Sequence, residues 1–335
     1  MVARGAIFLS SLTFCLATCG GPPGRRGAGA GDQRLEFAGA VRTYRLHVPA
    51  SRSRAGPGIQ PRPAPLVLVF HGDGGDGGGV EALTGLSAVA DREGFFVAYP
   101  DSPERHWNDD EEAGFRHPDD VGFVRALIAR LAARHGIDRA RIYATGFSNG
   151  GFFAQRLACE MAGEIAAVAA VAATMSERLA ARCRPEMAMP VLMIHGTADS
   201  EVPYHGAAGS RKEDEAHDLS VPAAVRHWVR ADRCTGPPSV TLLPDTGAAG
   251  GRLRREAYTH CAAGAEVVLY DVEGGGHAWP GGSSENGGQR GPGAASARSE
   301  KSTERTAGDL IWEFFARHRR TVSSRHGAVA GSSPR

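Results

Sequence analysis

The stretch between Arg141 and Glu160 constrains the fold more than any other part of the chain. The apolar run Arg141–Thr145 predicts a strand, and Phe152–Glu160 has the composition of a helix. Between them lies Gly-x-Ser-x-Gly, whose two glycines let strand and helix approach closely around Ser148. Such a turn holds a serine hydroxyl outside regular structure, where a base can reach it. The alternative is an ordinary Gly-Ser turn, because chance matches are common in a chain with 45 glycines among 335 residues.

Unbroken apolar runs alternate with amphipathic segments along most of the chain, which is typical of buried parallel strands joined by helices. The pattern predicts an α/β fold with a mostly parallel central sheet and helices on both faces. The predicted strands are Pro65–Phe70, Phe95–Tyr99, Arg141–Thr145, Ile165–Val171, Pro190–Ile194 and Glu266–Val272. The predicted helices are Val80–Glu93, 118–136, Phe152–Glu160, Val221–Asp232 and Glu304–His318. Two antiparallel pairs are also predicted, Leu35–Phe37 with Thr43–Val48 and Val240–Leu243 with Leu253–Tyr258.

The first 19 residues predict an export signal. One positive charge precedes the apolar-rich run Gly5–Ala17, which is too short to span a bilayer. The Leu-Ala-Thr-Cys-Gly that follows resembles a bacterial lipobox, in which Cys19 becomes a lipid anchor. Ordinary cleavage with full secretion and a plain disordered N-terminus are the alternatives. Beyond this signal we expect a flexible linker at 20–33, one folded domain at 34–318 with a mobile insert at 281–303, and a disordered tail at 319–335.

The expected folded domain contains four cysteines, an even number that suggests disulfides in an exported chain. Four cysteines can pair in three ways, and sequence proximity favours Cys159–Cys183 and Cys234–Cys261. Buried free thiols are the alternative. No C-x-x-C occurs, which argues against a zinc or thioredoxin-type site, so we expect no metal. The net charge of +1 gives no electrostatic case for nucleic acid as a partner.

A serine, an acid and a histidine follow the ends of three predicted strands, in the chain order that α/β-hydrolases use. Asp199 lies five residues after Ile194, and His277 lies five residues after Val272. A serine hydroxyl needs a base to become a nucleophile, and a carboxylate fixes the tautomer of that base. We therefore expect Ser148, Asp199 and His277 to form a catalytic triad. The weaker candidates lie in loops or beside peripheral strands, namely Asp245 for the acid and His205, His217 and His260 for the base.

The glycine-rich loop His71–Gly79 follows a predicted buried strand and precedes a predicted helix. Its glycines would let backbone N–H groups approach a developing oxyanion. The alternative is a phosphate cradle, which is disfavoured because neither G-x-G-x-x-G nor G-K-[ST] is present.

The chain resembles the secreted esterase family of polyhydroxybutyrate depolymerases and feruloyl esterases, which has the α/β-hydrolase fold. The resemblance covers nearly all of the expected folded domain. It is carried by VLVFHGDGGDGG, DDVGFVRALIARL, RIYATGFSNGGFFAQRLACE, VLMIHGTADSEVPYHG, VVLYDVEGGGHAWPGG and IWEFFARH. It implies that Ser148 is the nucleophile, Asp199 the acid and His277 the base. It also implies that the backbone N–H groups of Asp73 and Asn149 form the oxyanion hole, and that the cysteines pair.

Two features depart from the family or extend beyond it. Asp73 stands where such proteins often have a small or uncharged residue. Because a carboxylate turned inward would oppose an oxyanion, we expect its side chain to point away. Trp107 and Trp279 lie in loops near the expected mouth of the site, where they would form an aromatic or acyl subsite or simply pack the loops.

The resemblance implies a serine esterase without a cofactor, secreted or anchored at the cell envelope. Its substrate would be a small-molecule or polymeric carboxylic ester, such as a feruloyl or aryl ester or a short hydroxyalkanoate. The alternatives are a surface-displayed binding protein that keeps the fold without turnover, and a peptidase that uses the same triad.

Overall fold

The computed structural model describes residues 32–53, 62–110, 118–206, 217–243, 252–283 and 305–320. The expected export signal, Cys19, and nearly all of the expected linker, insert and tail therefore lie outside the described residues, as does Asp245. Within the described part, no helix is long and apolar enough to cross a membrane.

Ten described strands form one sheet in the order β1-β2-β4-β3-β5-β6-β7-β10-β9-β8. The six strands from β4 to β10 in this order pair in parallel, whereas β1, β2, β9 and β8 are antiparallel additions at the two edges. The strands are β1 Asp32–Phe37, β2 Ala40–His47, β3 Ala64–Phe70, β4 Phe96–Pro100, β5 Ile137–Phe147, β6 Ala167–Val171, β7 Val191–Gly196, β8 Ser239–Leu243, β9 Leu253–Tyr258 and β10 Val267–Val272. The predicted α/β class with a mostly parallel central sheet is confirmed.

The helices cover both faces of this sheet. They are α1 Ala50–Ser53, α2 Gly77–Thr84, α3 Leu86–Glu93, α4 Asp120–Arg134, α5 Asn149–Glu160, α6 Glu177–Arg182, α7 Val221–Ala231 and α8 Ala307–Ala316, with a 3₁₀ turn at Ala262–Gly264. Leu66, Leu68 and Phe70 of β3 pack in the same cluster as α4, α5 and α7. Val67 and Val69 pack in the cluster that contains α2, α3 and α8. This alternation is the period-two pattern of a strand buried on both sides.

Several predicted boundaries differ from the structure. The single helix expected at Val80–Glu93 is two helices, because Gly85 adopts φ 62° and ends α2. Strand β5 is longer than the expected Arg141–Thr145, and β1 begins at Asp32, inside the expected linker. Helix α6 lacked a sequence signal because its six residues are too few to show helical periodicity.

Two disulfides link neighbouring segments of the described chain. Cys159 near the end of α5 is bonded to Cys183, which follows α6, and Cys234 is bonded to Cys261. This is the pairing that sequence proximity favours. Disulfides persist in oxidising compartments, so the pairing is consistent with an extracellular protein.

Candidate active site

The strand-to-helix turn after β5 places Ser148 in a strained backbone conformation. Ser148 has φ 53° and ψ −126°, and its N–H donates to the carbonyl of Val171 in β6 (3.0 Å). A Cβ at Gly146 would lie 2.2 Å from the Gly150 carbonyl oxygen, and one at Gly150 would lie 2.3 Å from the Phe70 carbonyl oxygen. Only glycine fits at these two positions, and their close approaches hold the turn that presents the serine.

The acid candidate lies in the loop that follows β7. One carboxylate oxygen of Asp199 accepts the backbone N–H groups of Glu201 and Val202, both at 2.9 Å. The other oxygen lies 2.8 Å from Nδ1 of His277, and the Asp199 side chain is fully buried. These contacts engage both oxygens of the carboxylate, so its orientation toward His277 is fixed.

The base candidate lies in the loop that follows β10 and returns to the serine turn. The ring of His277 lies 5.0 Å from the ring of Phe147, the residue immediately before Ser148. The loops after β7 and β10 touch directly, since the N–H of Ala198 donates to the carbonyl of Gly275 (2.9 Å). A Cβ at Gly196 would lie 2.2 Å from that carbonyl oxygen. The loops after β7 and β10 therefore bring Asp199 and His277 into contact, and the residue before Ser148 lies beside the His277 ring.

Asn149 begins α5, and its side chain is clamped by the loop that follows β4. Its Oδ1 accepts the N–H of Trp107 (2.7 Å), and its Nδ2 donates to the carbonyl of Trp107 (3.1 Å) and to a carboxylate oxygen of Asp109 (2.8 Å). Nδ2 also lies 3.2 Å from Nε2 of His106. The side chain of Asn149 is therefore held in place. Its backbone N–H is the one that would donate to an oxyanion.

Asp73 lies in the glycine-rich loop on the other side of the serine. A Cβ on its neighbour Gly72 would lie 3.4 Å from the Cβ of Ser148, so this loop passes directly beside the nucleophile. The Asp73 side chain is 74% exposed, and its Oδ1 lies 2.9 Å from Nδ1 of His106. The carboxylate is therefore mostly exposed and contacts the loop after β4.

Comparison with known proteins identifies the family. The model of the family described as esterase PHB depolymerase matches residues 53–184. The "Putative esterase NocK" of Nocardia uniformis subsp. tsuyamanensis is 35% identical over 260 residues, which cover 75% of this chain and 74% of that protein. This chain belongs to the polyhydroxybutyrate depolymerase and feruloyl esterase family. The resemblance predicted from the sequence motifs is confirmed.

More distant relatives of this esterase family member carry related names. Feruloyl esterase B of Piromyces equi is 29% identical over 222 residues, which cover 64% of this chain and 40% of that protein. Among solved structures, acetyl xylan esterase from Aspergillus awamori is similar with a TM-score of 0.49 and 14% identity, over 71% of this chain and 90% of that one. Family membership supports carboxylic ester hydrolysis as the class of reaction.

The charges around the acid favour the ionised carboxylate. Burial alone would raise the pKa of Asp199, but the hydrogen bonds from His277 and from the Val202 N–H outweigh it and lower that pKa overall. A second histidine, His195 at the end of β7, lies beneath this carboxylate, with Nε2 2.8 Å from the carbonyl of Val202 and 3.5 Å from Asp199 Oδ2. Burial lowers the pKa of His195, which favours the neutral form of this ring. Sequence reasoning missed His195, although its place at a strand end next to Gly196 was a signal.

The two tryptophans of this esterase family member are buried. Trp107 has no exposed surface, and its ring stacks on Phe153 with a centroid distance of 5.1 Å. Trp279 is 3% exposed and packs in the cluster that contains α8. Neither ring offers surface to a substrate, so the geometry favours loop packing over an aromatic subsite for both residues.

His205, His217 and His260, the weaker candidates for the base, are exposed in the structure. Among the described residues, no group of three or more His, Cys, Asp or Glu side chains is arranged to hold a metal ion. Residues that sequence reasoning missed, above all His106 and Asp109, come from a segment without periodicity, so no pattern predicted their place beside Asn149.

Proposed function

We propose that this protein is a serine esterase that hydrolyses carboxylic esters through an acyl-enzyme on Ser148. The observation that carries the proposal is the 2.8 Å contact between Asp199 and His277 Nδ1, in a loop that lies against the serine turn. A carboxylate on Nδ1 keeps the ring proton there, which leaves Nε2 to take the proton of the serine hydroxyl.

In the first half of the reaction, Ser148 Oγ attacks the ester carbonyl while His277 Nε2 accepts the hydroxyl proton. The carbonyl oxygen becomes an oxyanion, and the backbone N–H groups of Asp73 and Asn149 stabilise it. The bond to the leaving alkoxide then breaks, and His277 returns the proton to that oxygen, so the alcohol departs. Water repeats these steps on the acyl-enzyme, which releases the acid and restores Ser148.

The substrate class follows from the relatives and is part of the proposal. Relatives are named feruloyl esterase and bifunctional acetylxylan esterase/xylanase. We propose feruloyl or other aryl esters, or short hydroxyalkanoate esters, as substrates here. We also propose export of the protein, with Cys19 as a lipid anchor or removed with the signal.

A fluorophosphonate probe tests the nucleophile directly. We expect the wild-type protein to be labelled and Ser148→Ala to be unlabelled, because the probe forms a covalent bond only with an activated serine. Ser239→Ala, on the exposed edge strand β8, is the matched control and should label like wild type. An unlabelled wild-type protein would contradict the proposal.

A substrate panel then tests the bond that is cleaved. p-Nitrophenyl acetate, methyl ferulate, hydroxybutyrate oligomers and a peptide amide would be compared by kcat/KM. We expect turnover of one or more esters and none of the amide. Amide cleavage without ester cleavage would instead indicate a peptidase.

A further inference from the structure

The side chain of His106 lies between the two residues whose backbone N–H groups would form the oxyanion hole. Its Nδ1 lies 2.9 Å from Oδ1 of Asp73, and its Nε2 lies 3.2 Å from Nδ2 of Asn149. Asp73 and Asn149 are 76 residues apart in the chain, one in the loop after β3 and the other at the start of α5. A single imidazole thus joins the loop after β3 to the start of α5.

The hydrogen bonds of Asn149 fix the group that faces Nε2 of His106. Oδ1 of Asn149 accepts the N–H of Trp107, so the Asn149 amide orientation is fixed and Nδ2 is a donor. Nδ2 lies within hydrogen-bond distance of the Trp107 carbonyl, Asp109 and His106. With the ring proton on Nδ1, His106 donates to Asp73 and its Nε2 can accept from Asn149, so one tautomer serves both contacts.

The backbone of the same loop is anchored so that the ring is held in place. The N–H of Ser102 donates to Nε2 of His71 (3.1 Å), and its hydroxyl donates to the carbonyl of His106. The N–H of Gly74 donates to the carbonyl of Arg105 (2.8 Å). The loop after β3 and the loop after β4 are therefore joined twice, by these hydrogen bonds and by the ring of His106.

The charge of Asp73 gives this contact a second consequence. An unbonded carboxylate beside an oxyanion hole is free to turn toward the developing negative charge and would oppose it. Here the Asp73 side chain is mostly exposed, and its Oδ1 is engaged by Nδ1 of His106. His106 would therefore offset a penalty that this chain's own aspartate creates.

We propose that His106 is a positioning residue that fixes the two oxyanion donors relative to each other and restrains the Asp73 carboxylate. It acts through Asp73 and Asn149 and does not touch the reacting atoms. This inference rests on the proposed serine esterase function.

The test is a set of variants assayed with p-nitrophenyl acetate. Removal of one oxyanion donor typically costs about 10²–10³ in rate, and displacement without removal should cost less. We expect His106→Ala to lower kcat about 10- to 50-fold while KM changes less than threefold. His106→Gln, whose amide can accept from Asn149 and donate to Asp73, should recover most of that loss. The control His260→Ala alters an exposed histidine just after β9 and should match wild type.

The double variant separates positioning from simple loss of structure. Asp73→Asn alone should lower kcat by about two- to fivefold, because a neutral amide oxygen accepts a weaker hydrogen bond from His106 than a carboxylate does. In the His106→Ala background, the same change should raise kcat several-fold, because it removes the unrestrained charge. A purely structural role for His106 would not produce this change of sign.

Three results would overturn the proposal. One is a kcat for His106→Ala within twofold of wild type, and another is equal damage from His106→Gln and His106→Ala. The third is an Asp73→Asn change that has the same effect in both backgrounds. Should His106→Ala not fold, His106→Leu and its double variant with Asp73→Asn take its place and are judged by the same criteria. Wild-type protein that neither labels nor hydrolyses esters would contradict the proposed function itself, whereas an active wild type with an unaffected His106→Ala contradicts this inference alone.

Discussion

The two sides of Ser148 are built in different ways. On the acid–base side, the Asp199 side chain is fully buried and His277 is 10% exposed, and their loops meet backbone to backbone at Gly196 and Gly275. On the oxyanion side, the side chains of Asp73 and His106 are 74% and 36% exposed. Glycine contacts fix the first side, whereas hydrogen bonds between side chains from separate loops fix much of the second.

This difference predicts how substitutions on the two sides will act. Backbone contacts between glycines leave almost no side chain to change, so the acid and base keep their spacing as long as the loops fold. The oxyanion side depends on hydrogen bonds between individual exposed or partly exposed side chains, such as those of Asp73 and His106. We therefore expect substitutions on the acid–base side to act on catalysis or folding outright, and those on the oxyanion side to produce graded effects.

The largest expected effect comes from removing the charge of the acid. Asp199→Asn keeps the size of the side chain, but its amide can present a donor to His277 Nδ1 and so favours the wrong tautomer. We expect kcat for p-nitrophenyl acetate to fall by about 10³–10⁴.

Asp138→Asn is the control, since Asp138 pairs with Arg141 at the far end of β5 and should leave kcat within twofold of wild type. A loss of less than tenfold in Asp199→Asn would mean that another group orients His277. The acid–base side would then resemble the oxyanion side in being replaceable.

The next effect is a loss of stability when a glycine on either side of Ser148 gains a side chain. A Cβ at Gly196 would lie 2.2 Å from the Gly275 carbonyl oxygen, whereas one at Gly72 would lie 3.2 Å from Cδ1 of Phe147. The first contact is against backbone, and the second is against a ring that can shift. We expect Gly196→Ala to lower the free energy of unfolding by about 3 kcal/mol and Gly72→Ala by about 1 kcal/mol, measured by urea denaturation.

Gly276→Ala provides a matched control in the loop after β10, because a Cβ there meets nothing within 4 Å. Its effect on the free energy of unfolding should be below about 0.5 kcal/mol. Equal costs for Gly196→Ala and Gly72→Ala would show that the two sides are equally dependent on backbone contact.

The same contrast decides how much of the site the sequence could predict. The positions of Ser148, Asp199 and His277 follow from strands with unbroken apolar runs, because parallel strands end at one edge of the sheet. His106 and Trp107 lie in a polar segment with no periodicity. For this reason neither the hydrogen bonds of His106 nor the complete burial of Trp107 was predictable. Side-chain contacts of this kind join loops that are distant in the sequence, so the local sequence pattern does not predict them.

A smaller effect than that of Gly196→Ala is a pH dependence of stability that differs in sign between the two sides. On the oxyanion side, burial raises the pKa of Asp109 to about 6 from an ordinary value of 3.8. A carboxyl group whose pKa is raised in the folded state makes the protein less stable as pH rises through that range. On the acid–base side, the pKa of Asp199 is lowered in the folded state. Its contribution is complete at neutral pH and is lost only as pH falls below the ordinary range.

Asp109→Asn tests this contrast, since the amide oxygen can still accept the Asn149 N–H while the titratable proton is gone. From pH 5 to pH 8, ionisation of Asp109 should lower the free energy of unfolding of wild type by about 1.4 kcal/mol, and the variant should lack this decrease. Urea denaturation at the two pH values measures it. Asp199→Asn, in comparison, should change the slope only below about pH 4. A variant with the wild-type slope between pH 5 and pH 8 would mean that Asp109 is ionised throughout, and that the oxyanion side is held by a full negative charge behind Asn149.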